Sequence, residues 1–221
     1  MKFCIFDTET TGLPKGYNAP WYKGDLWPYI VQFSWLVYDT EEGMIIDDKD
    51  KVIKIDPNIE ITPESIEKHG ITMEISQKSD YTIKNALIEF GNAINDCDVI
   101  VAHNINFDDN MIKCEYQRNG IYNYMDNFEG MKFCTMKNSI KICKIKKKSE
   151  KTGKYYYKWP TLEELHYNLF RQKPTNLHNS LVDIFVCFRC FYKLRYDKDV
   201  LRASSGLRSY YNALCQKKYS S

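Results

Sequence analysis

No apolar stretch of the 221-residue chain approaches the ~18 residues that a membrane-spanning helix needs, so no span is expected. Net charge is scarce as well. At +2, any affinity for a polyanion must come from local clustering rather than from an overall field. No signal peptide is expected, because Asp7 and Glu9 interrupt the leading apolar run too early, and an intracellular protein of the cytoplasm or nucleus is the expectation. Without that signal the eight cysteines are expected as reduced thiols. Cys187 and Cys190 form a C-x-x-C, but it sits within an amphipathic pattern and no second pair stands at zinc-ribbon spacing. Buried small side chains are the better reading of it. No internal repeat or low-complexity linker divides the chain, which implies one domain over residues 1–196. Residues 197–221 are then an extension of that domain or a tail.

What is present begins with Lys2 to Asp7, a short apolar run of the kind that forms a strand buried on both faces. It closes on two acids. Alternate residues of a strand share a side, so Asp7 and Glu9 can converge on one point, where they repel unless a divalent cation lies between them. The plainer alternative is an acidic strand end fraying into a turn at Gly12. Helical and strand patterns alternate along the rest of the chain, the signature of an α/β layer architecture.

Pro14 to Pro28 is a long loop carrying Trp21, Tyr22 and Trp27, readable as a lip that stacks bases or as a self-packed surface loop. Ile30 to Tyr38, then Met44 to Ile46 and Val52 to Ile55, read as a meander. Thr62-Pro63-Glu64 opens a short helix that stops at Gly70, and a longer one is expected over 82–95. Val99 to Ala102 reads as a buried strand, 109–119 as a helix and Met131 to Met136 as another strand. Lys141 to Lys158 carries eight lysines against Glu150 alone and reads as a basic hairpin, an insertion over about 140–159. Thr161 and Glu164 form a capping box, and the last strong helix runs over 179–196.

Two further places break the local pattern as Asp7 and Glu9 do. The strand ending at Ala102 runs into His103-Asn104 and, one turn on, Asp108. Near the end, His178 and Asp183 bracket the start of the last helix. Five residues apart they would lie about 140° apart on a helix, so His178 is expected in the preceding loop and Asp183 on the first turns.

Phe6-Asp7-Thr8-Glu9-Thr10-Thr11-Gly12-Leu13, His103-Asn104-x-x-Phe107-Asp108 and His178-x-Ser180-x-x-Asp183 together resemble the three motifs of the DnaQ-like, DEDDh family of 3′–5′ exonucleases. Pro63 to Ile66 and His69 to Thr72 resemble that family's connecting segment, so the likeness covers about residues 1 to 195. Ser180 stands where the family often has alanine, and both the 14–28 loop and the basic hairpin are longer than in minimal members.

The resemblance implies an RNase H-like α/β fold: a mixed five-stranded sheet, first three strands antiparallel, with helices on both faces. It implies that Asp7, Glu9, Asp108 and Asp183 hold two Mg²⁺ or Mn²⁺ ions and that His178 is the general base. Hard oxygen donors suit those ions, and the lack of a His/Cys cluster argues against zinc. Thr10, Leu13, His103 and Asn104 become candidate contacts to the terminal nucleotide, although His103 reads equally well as a core histidine tying the strand end. His69 and His166 are expected to be structural. Lys146, Lys147 and Lys148, interleaved in space with Tyr155 to Trp159, suit a single-strand platform as well as a solvated charged face. The implied partner is the 3′ end of a single-stranded nucleic acid, DNA favoured over RNA, and a polymerase or another replication or repair protein fits beside it. A non-catalytic nucleic-acid-binding module and an endonuclease on the same fold are the competing readings.

Overall fold

The strand that ends in Asp7 and Glu9 lies at the centre of the sheet. In the computed structural model, which describes residues 1–16, 18–174 and 180–216, β1 (Lys2–Thr10) pairs antiparallel with β2 (Ile30–Asp39), and β2 with β3 (Met44–Val52). On its other side β1 runs parallel to β4 (Val99–Ala102), which runs parallel to β5 (Met131–Cys134). The order is β3-β2-β1-β4-β5, the mixed sheet that was expected.

Strand alternation divides the core in two. Cys4 and Phe6 face a cluster with Phe33, Trp35 and Phe90, covered by α3 (Ile83–Asn95) and α4 (Ile105–Asn119). Phe3 and Ile5 face Phe185, Phe188 and Phe191 of α7 (Ser180–Tyr196), with Leu165 of α6 (Leu162–Phe170) beside them. Between β3 and α3 lie two short helices, α1 (Pro63–His69) and α2 (Met73–Lys78). Thr62 and Thr72 cap them through their side-chain oxygens, and Gly70 ends α1 in the left-handed region that a residue without Cβ enters freely.

Several boundaries differ from the sequence reading. β3 runs on from the first expected piece through the acids to Val52, and 53–55, expected as a second piece, lie beyond the strand. Its acids are not a break: Asp50 accepts from Gln32 and Ser34, and Asp47 from the Trp35 indole, while the charged alternation suits a sheet edge. The strand expected over 131–136 stops at Cys134, where α5 (Thr135–Cys143) begins. That helix takes Lys141, so the basic ribbon is shorter than expected: β6 (Lys146–Lys148) against β7 (Tyr155–Tyr157). α4 starts at Ile105, four residues before the expected start, which places Asp108 in its first turn. After Asp197 the chain forms α8 (Val200–Ala203) and α9 (Ser205–Gln216), whose Val200, Leu201, Leu207 and Leu214 join the second core. No helix among the described residues is long and apolar enough to cross a membrane, and all eight cysteines are free thiols.

Candidate active site

Parallel pairing puts the C-terminal ends of β1 and β4 side by side, and α4 springs from the end of β4. Ligand crevices form at such carboxyl ends. Even-numbered residues of β1 face α4. Thr8 accordingly grips Asp108, its hydroxyl donating to Oδ1 at 2.8 Å and its backbone N–H to the same oxygen at 3.1 Å. Odd-numbered residues face α7, so Asp7 points to the helix that carries Asp183 in its first turn.

The electrostatics report the convergence. Asp7 is held well above the usual carboxylate range, by burial first and then by the negative charges of Asp108, Glu9 and Asp183. Asp108, only 2% exposed, is pushed up to about 7 by burial, against which its bonds from Thr8 act; the charge of Glu9 raises it further. Glu9 is raised by burial and tempered by the ammonium of Lys68. Acids from β1, α4 and α7 therefore share one field. Among the described residues no three acid, histidine or cysteine side chains stand at the spacing of a closed metal cage; the four share a field without forming one. The donor set fits a hard divalent cation. The Cys187 thiol, which lies within the field of Asp7 and Asp108, is driven far up by burial and stays protonated.

Beside the acids opens a cleft of about 380 Å³, within the ~300–1,000 Å³ of small-ligand pockets. Glu9, Thr10 and Leu13 line it on one side, Glu64, Lys68 and His69 of α1 on another, with Phe107 between. Leu13 is 76% exposed at its mouth. The Thr10 hydroxyl donates to the Gly12 carbonyl at 2.7 Å, and the Thr10 carbonyl lies 3.2 Å from Nε2 of His69. Because the Ile71 N–H donates to Nδ1 of that ring, the proton sits on Nε2 and His69 is a neutral donor. In the sequence Glu64 reads as an acid in the first turn of a short helix and His69 as structural, and nothing singles out Lys68. The signal was their five-residue reach along α1, opposite the motif at the end of β1.

The other candidates divide. Asn104 sits at φ 73°, a left-handed cap of α4 with no capping bond from its side chain, the kind of uncommon backbone found at functional turns. His103 points into the protein: Nδ1 takes the Thr135 hydroxyl at 2.9 Å, and Nε2 meets the Pro160 carbonyl at 3.1 Å. Burial lowers its pKa to about 4. With both ring nitrogens engaged, the geometry matches the core tie and leaves no nitrogen for substrate. Lys146, Lys147 and Lys148 are exposed on the ribbon. In the 14–28 loop Trp27 is buried against Phe107 while Tyr22 is exposed, so the loop is self-packed at one end and open at the other. His178 lies outside the described residues.

A model of the exonuclease family, RNase_T, matches residues 4–191. The chain belongs to the exonuclease family. No curated protein matches its sequence significantly. Among solved structures, Escherichia coli exonuclease I in complex with a dT13 oligonucleotide superposes with a TM-score of 0.64 at 16% identity, over 89% of this chain and 42% of that one. The zinc-bound form of the same enzyme's single-strand complex gives 0.63 at 16%, over 95% and 42%. Product-bound exonuclease I gives 0.64 at 14%, over 95% and 45%. These relatives share the RNase H-like fold, and the family member described here spans less than half of their length.

Proposed function

We propose that this family member is a metal-dependent 3′–5′ exonuclease that hydrolyses the terminal phosphodiester of single-stranded ends and releases nucleoside 5′-monophosphates. The observation that carries the reading is the convergence of acids from three elements at the end of the central strand: the charges of Asp108, Glu9 and Asp183 all bear on Asp7, and that of Glu9 on Asp108. So many like charges in one place cost stability unless the site exists to hold cations. Two Mg²⁺ or Mn²⁺ ions bound there would supply Lewis acidity at the phosphodiester and lower the pKa of a bound water.

The chain's own residues then have defined tasks. Asp7, Glu9, Asp108 and Asp183 are the ligands, with Thr8 fixing which Asp108 oxygen turns toward the cleft. The cleft of Thr10, Leu13 and His69 takes the terminal nucleotide, and Lys68 offers a cation to its phosphate. Asn104 shapes the turn that delivers Asp108. The proton acceptor is His178. His69, His103 and His166 each have both ring nitrogens engaged by the protein's own groups, and burial lowers the pKa of all three. An unperturbed imidazole titrating near ~6.5 suits a base at neutral pH.

DNA is favoured because the first and third motifs most resemble proofreading and repair members. E. coli exonuclease I, by comparison, is solved with oligothymidylate and oligoadenylate, and an exonuclease I structure also contains SSB. A replication or repair protein, a polymerase included, is the fitting partner, in the reducing interior of the cell that eight thiols suit. The deciding experiment offers the protein 5′-labelled linear DNA, the matched RNA and a closed circle, with Mg²⁺, with Mn²⁺ and with EDTA. The reading requires stepwise shortening from the 3′ end, mononucleotide release, an intact circle and no turnover in EDTA. A nicked circle overturns it in favour of an endonuclease, and faster loss of the RNA moves the substrate to RNA.

A further inference from the structure

The ribbon β6–β7 stands away from both cores, with every residue of both strands exposed. Isolated two-stranded hairpins are marginal in water, and this one is anchored at its root. The Lys158 N–H donates to the Ile145 carbonyl at 2.9 Å, and Ile145 packs against the second core. Lys158 pairs with Glu164 at 2.6 Å, and the Pro160 carbonyl meets His103, the residue that follows β4. The tip is closed by Ser149 and Lys154, whose backbones bond at 2.9 Å. The ribbon is thus a stiff arm rooted one residue before Asn104, beside the turn that carries Asp108.

Its register gives it two unequal faces. Lys146 lies opposite Tyr157, Lys147 opposite Tyr156 and Lys148 opposite Tyr155. Residues directly opposite share a face and neighbours along a strand alternate. One face therefore carries Lys146, Lys148, Tyr155 and Tyr157, and the other carries Lys147 and Tyr156. Clustered exposed rings mark interaction sites: Tyr155 is 70% exposed, Tyr157 44%, and Trp159 just beyond the strand 50%. Acidic proteins and nucleic acids both complement lysine, but only unpaired bases also offer flat faces to alternating rings.

We propose that the face bearing Lys146, Lys148, Tyr155 and Tyr157 is a stacking platform for single-stranded nucleic acid upstream of the reactive 3′ end, the lysines taking phosphates and the tyrosines taking bases. This rests on the exonuclease reading above and adds where the strand lies. Each component has its own signature. For single strands the logarithm of affinity falls by ~0.7 per neutralised phosphate per decade of salt, so Lys146→Gln with Lys148→Gln should flatten that slope by about 1.4. Tyr155→Ala with Tyr157→Ala should weaken binding roughly tenfold or more at every salt concentration, since stacking is not ionic.

The test is fluorescence anisotropy with a fluorescein-labelled oligothymidylate of about twenty nucleotides in EDTA, from about 50 to about 300 mM NaCl. The Lys147→Gln/Tyr156→Ala variant should lose distinctly less than the two-pair variants. Equal losses on the two faces would overturn the platform in favour of diffuse charge, and unchanged binding in every variant would remove the ribbon from the interface. Competition by polyglutamate as strong as by unlabelled oligothymidylate would overturn it in favour of an acidic protein partner. If the native chain binds neither oligothymidylate nor oligouridylate, the exonuclease reading and the platform fall together, an outcome distinct from insensitive variants. All six positions are exposed, so the variants should fold as the native chain does, which their circular dichroism melting curves check.

Discussion

At the residue scale, the acids proposed as cation ligands are the ones the fold would be better without. Burial and mutual repulsion raise Asp7 and Asp108, so the ionised forms destabilise the folded chain. Asp7→Asn should therefore raise the melting temperature in EDTA at pH 8. Losing a residue that merely orients a metal ligand costs ~10–100-fold, so turnover should fall by more than that. An asparagine variant that melts lower in EDTA, or keeps native turnover, would contradict the assignment. His103 gives a prediction of the opposite character. Its folded pKa of about 4 lies below the unfolded ~6.5, so the unfolded chain binds more protons between those values. Its stabilisation is complete above ~6.5 and is lost as pH falls toward 4, on the order of 3 kcal/mol. His69 and His166, also lowered by burial, act in the same direction. Denaturant titrations at pH 7.0 and pH 4.5 should show a smaller difference for His103→Gln than for the native chain. Chemistry was legible at this scale because carboxylates at a strand end violate the burial rule. Glu64, Lys68 and His69 were not, because on a short solvent-facing helix polar residues violate nothing.

At the element scale, legibility followed the strength of periodicity and caps. β1, α3 and α6 carry an apolar strand run, an apolar stripe and a capping box, and all three appear where the pattern put them. β3 reads as broken because its edge position tolerates an unbroken charged run, Asp47 to Lys51, between Ile46 and Val52. The sequence places Thr135 and Met136, the start of α5, in the preceding strand because the geometry changes at Thr135 without proline or glycine to mark it. Burial of loop carbonyls shows how the 14–28 lip is held. Arg118 donates to the carbonyls of Pro28, Trp27 and Gly24, pairs with buried Glu115 at 2.9 Å and covers the Tyr29 ring at 4.1 Å. A lysine carries the charge but not the planar fork that serves several acceptors at once. Arg118→Lys should cost about 2 kcal/mol by denaturant titration, as expected for leaving buried acceptors unmade. Trp27 fluorescence should shift to the red as its packing on Phe107 loosens; an unchanged spectrum would separate the lip from this clamp.

At the scale of the whole molecule, the two cores are stabilised from different parts of the chain. The first is closed by residues up to Met136, whereas the second is completed by Val200, Leu201, Leu207 and Leu214 from α8 and α9. Leu207, Tyr210, Tyr211 and Leu214 recur at helical spacing, a signal present in the sequence but carried by a helix too short and too polar to stand out. Tyr210 reaches back to Asp48 on β3 at 3.1 Å, and Tyr211 stacks on Phe185. Buried Arg189 joins the same end to α6, forking onto Asp199 at 2.7 and 2.9 Å while its third nitrogen meets His166 at 3.0 Å. Truncation after Tyr196 would remove four buried aliphatic side chains at ~1.5–3 kcal/mol each and would leave the Arg189 guanidinium without its carboxylate. That loss, roughly 6–12 kcal/mol before the unpaired charge, is comparable with the ~5–15 kcal/mol that holds an ordinary domain folded. The truncated chain should lose its cooperative thermal transition. Replacing the stranded charge by an apolar side chain of similar length should recover part of the loss, because an unpaired buried cation is worse than none. Arg189→Met should thus stabilise the truncated chain and destabilise the untruncated one. A shift of the same sign in both would show that Arg189 answers to something other than Asp199.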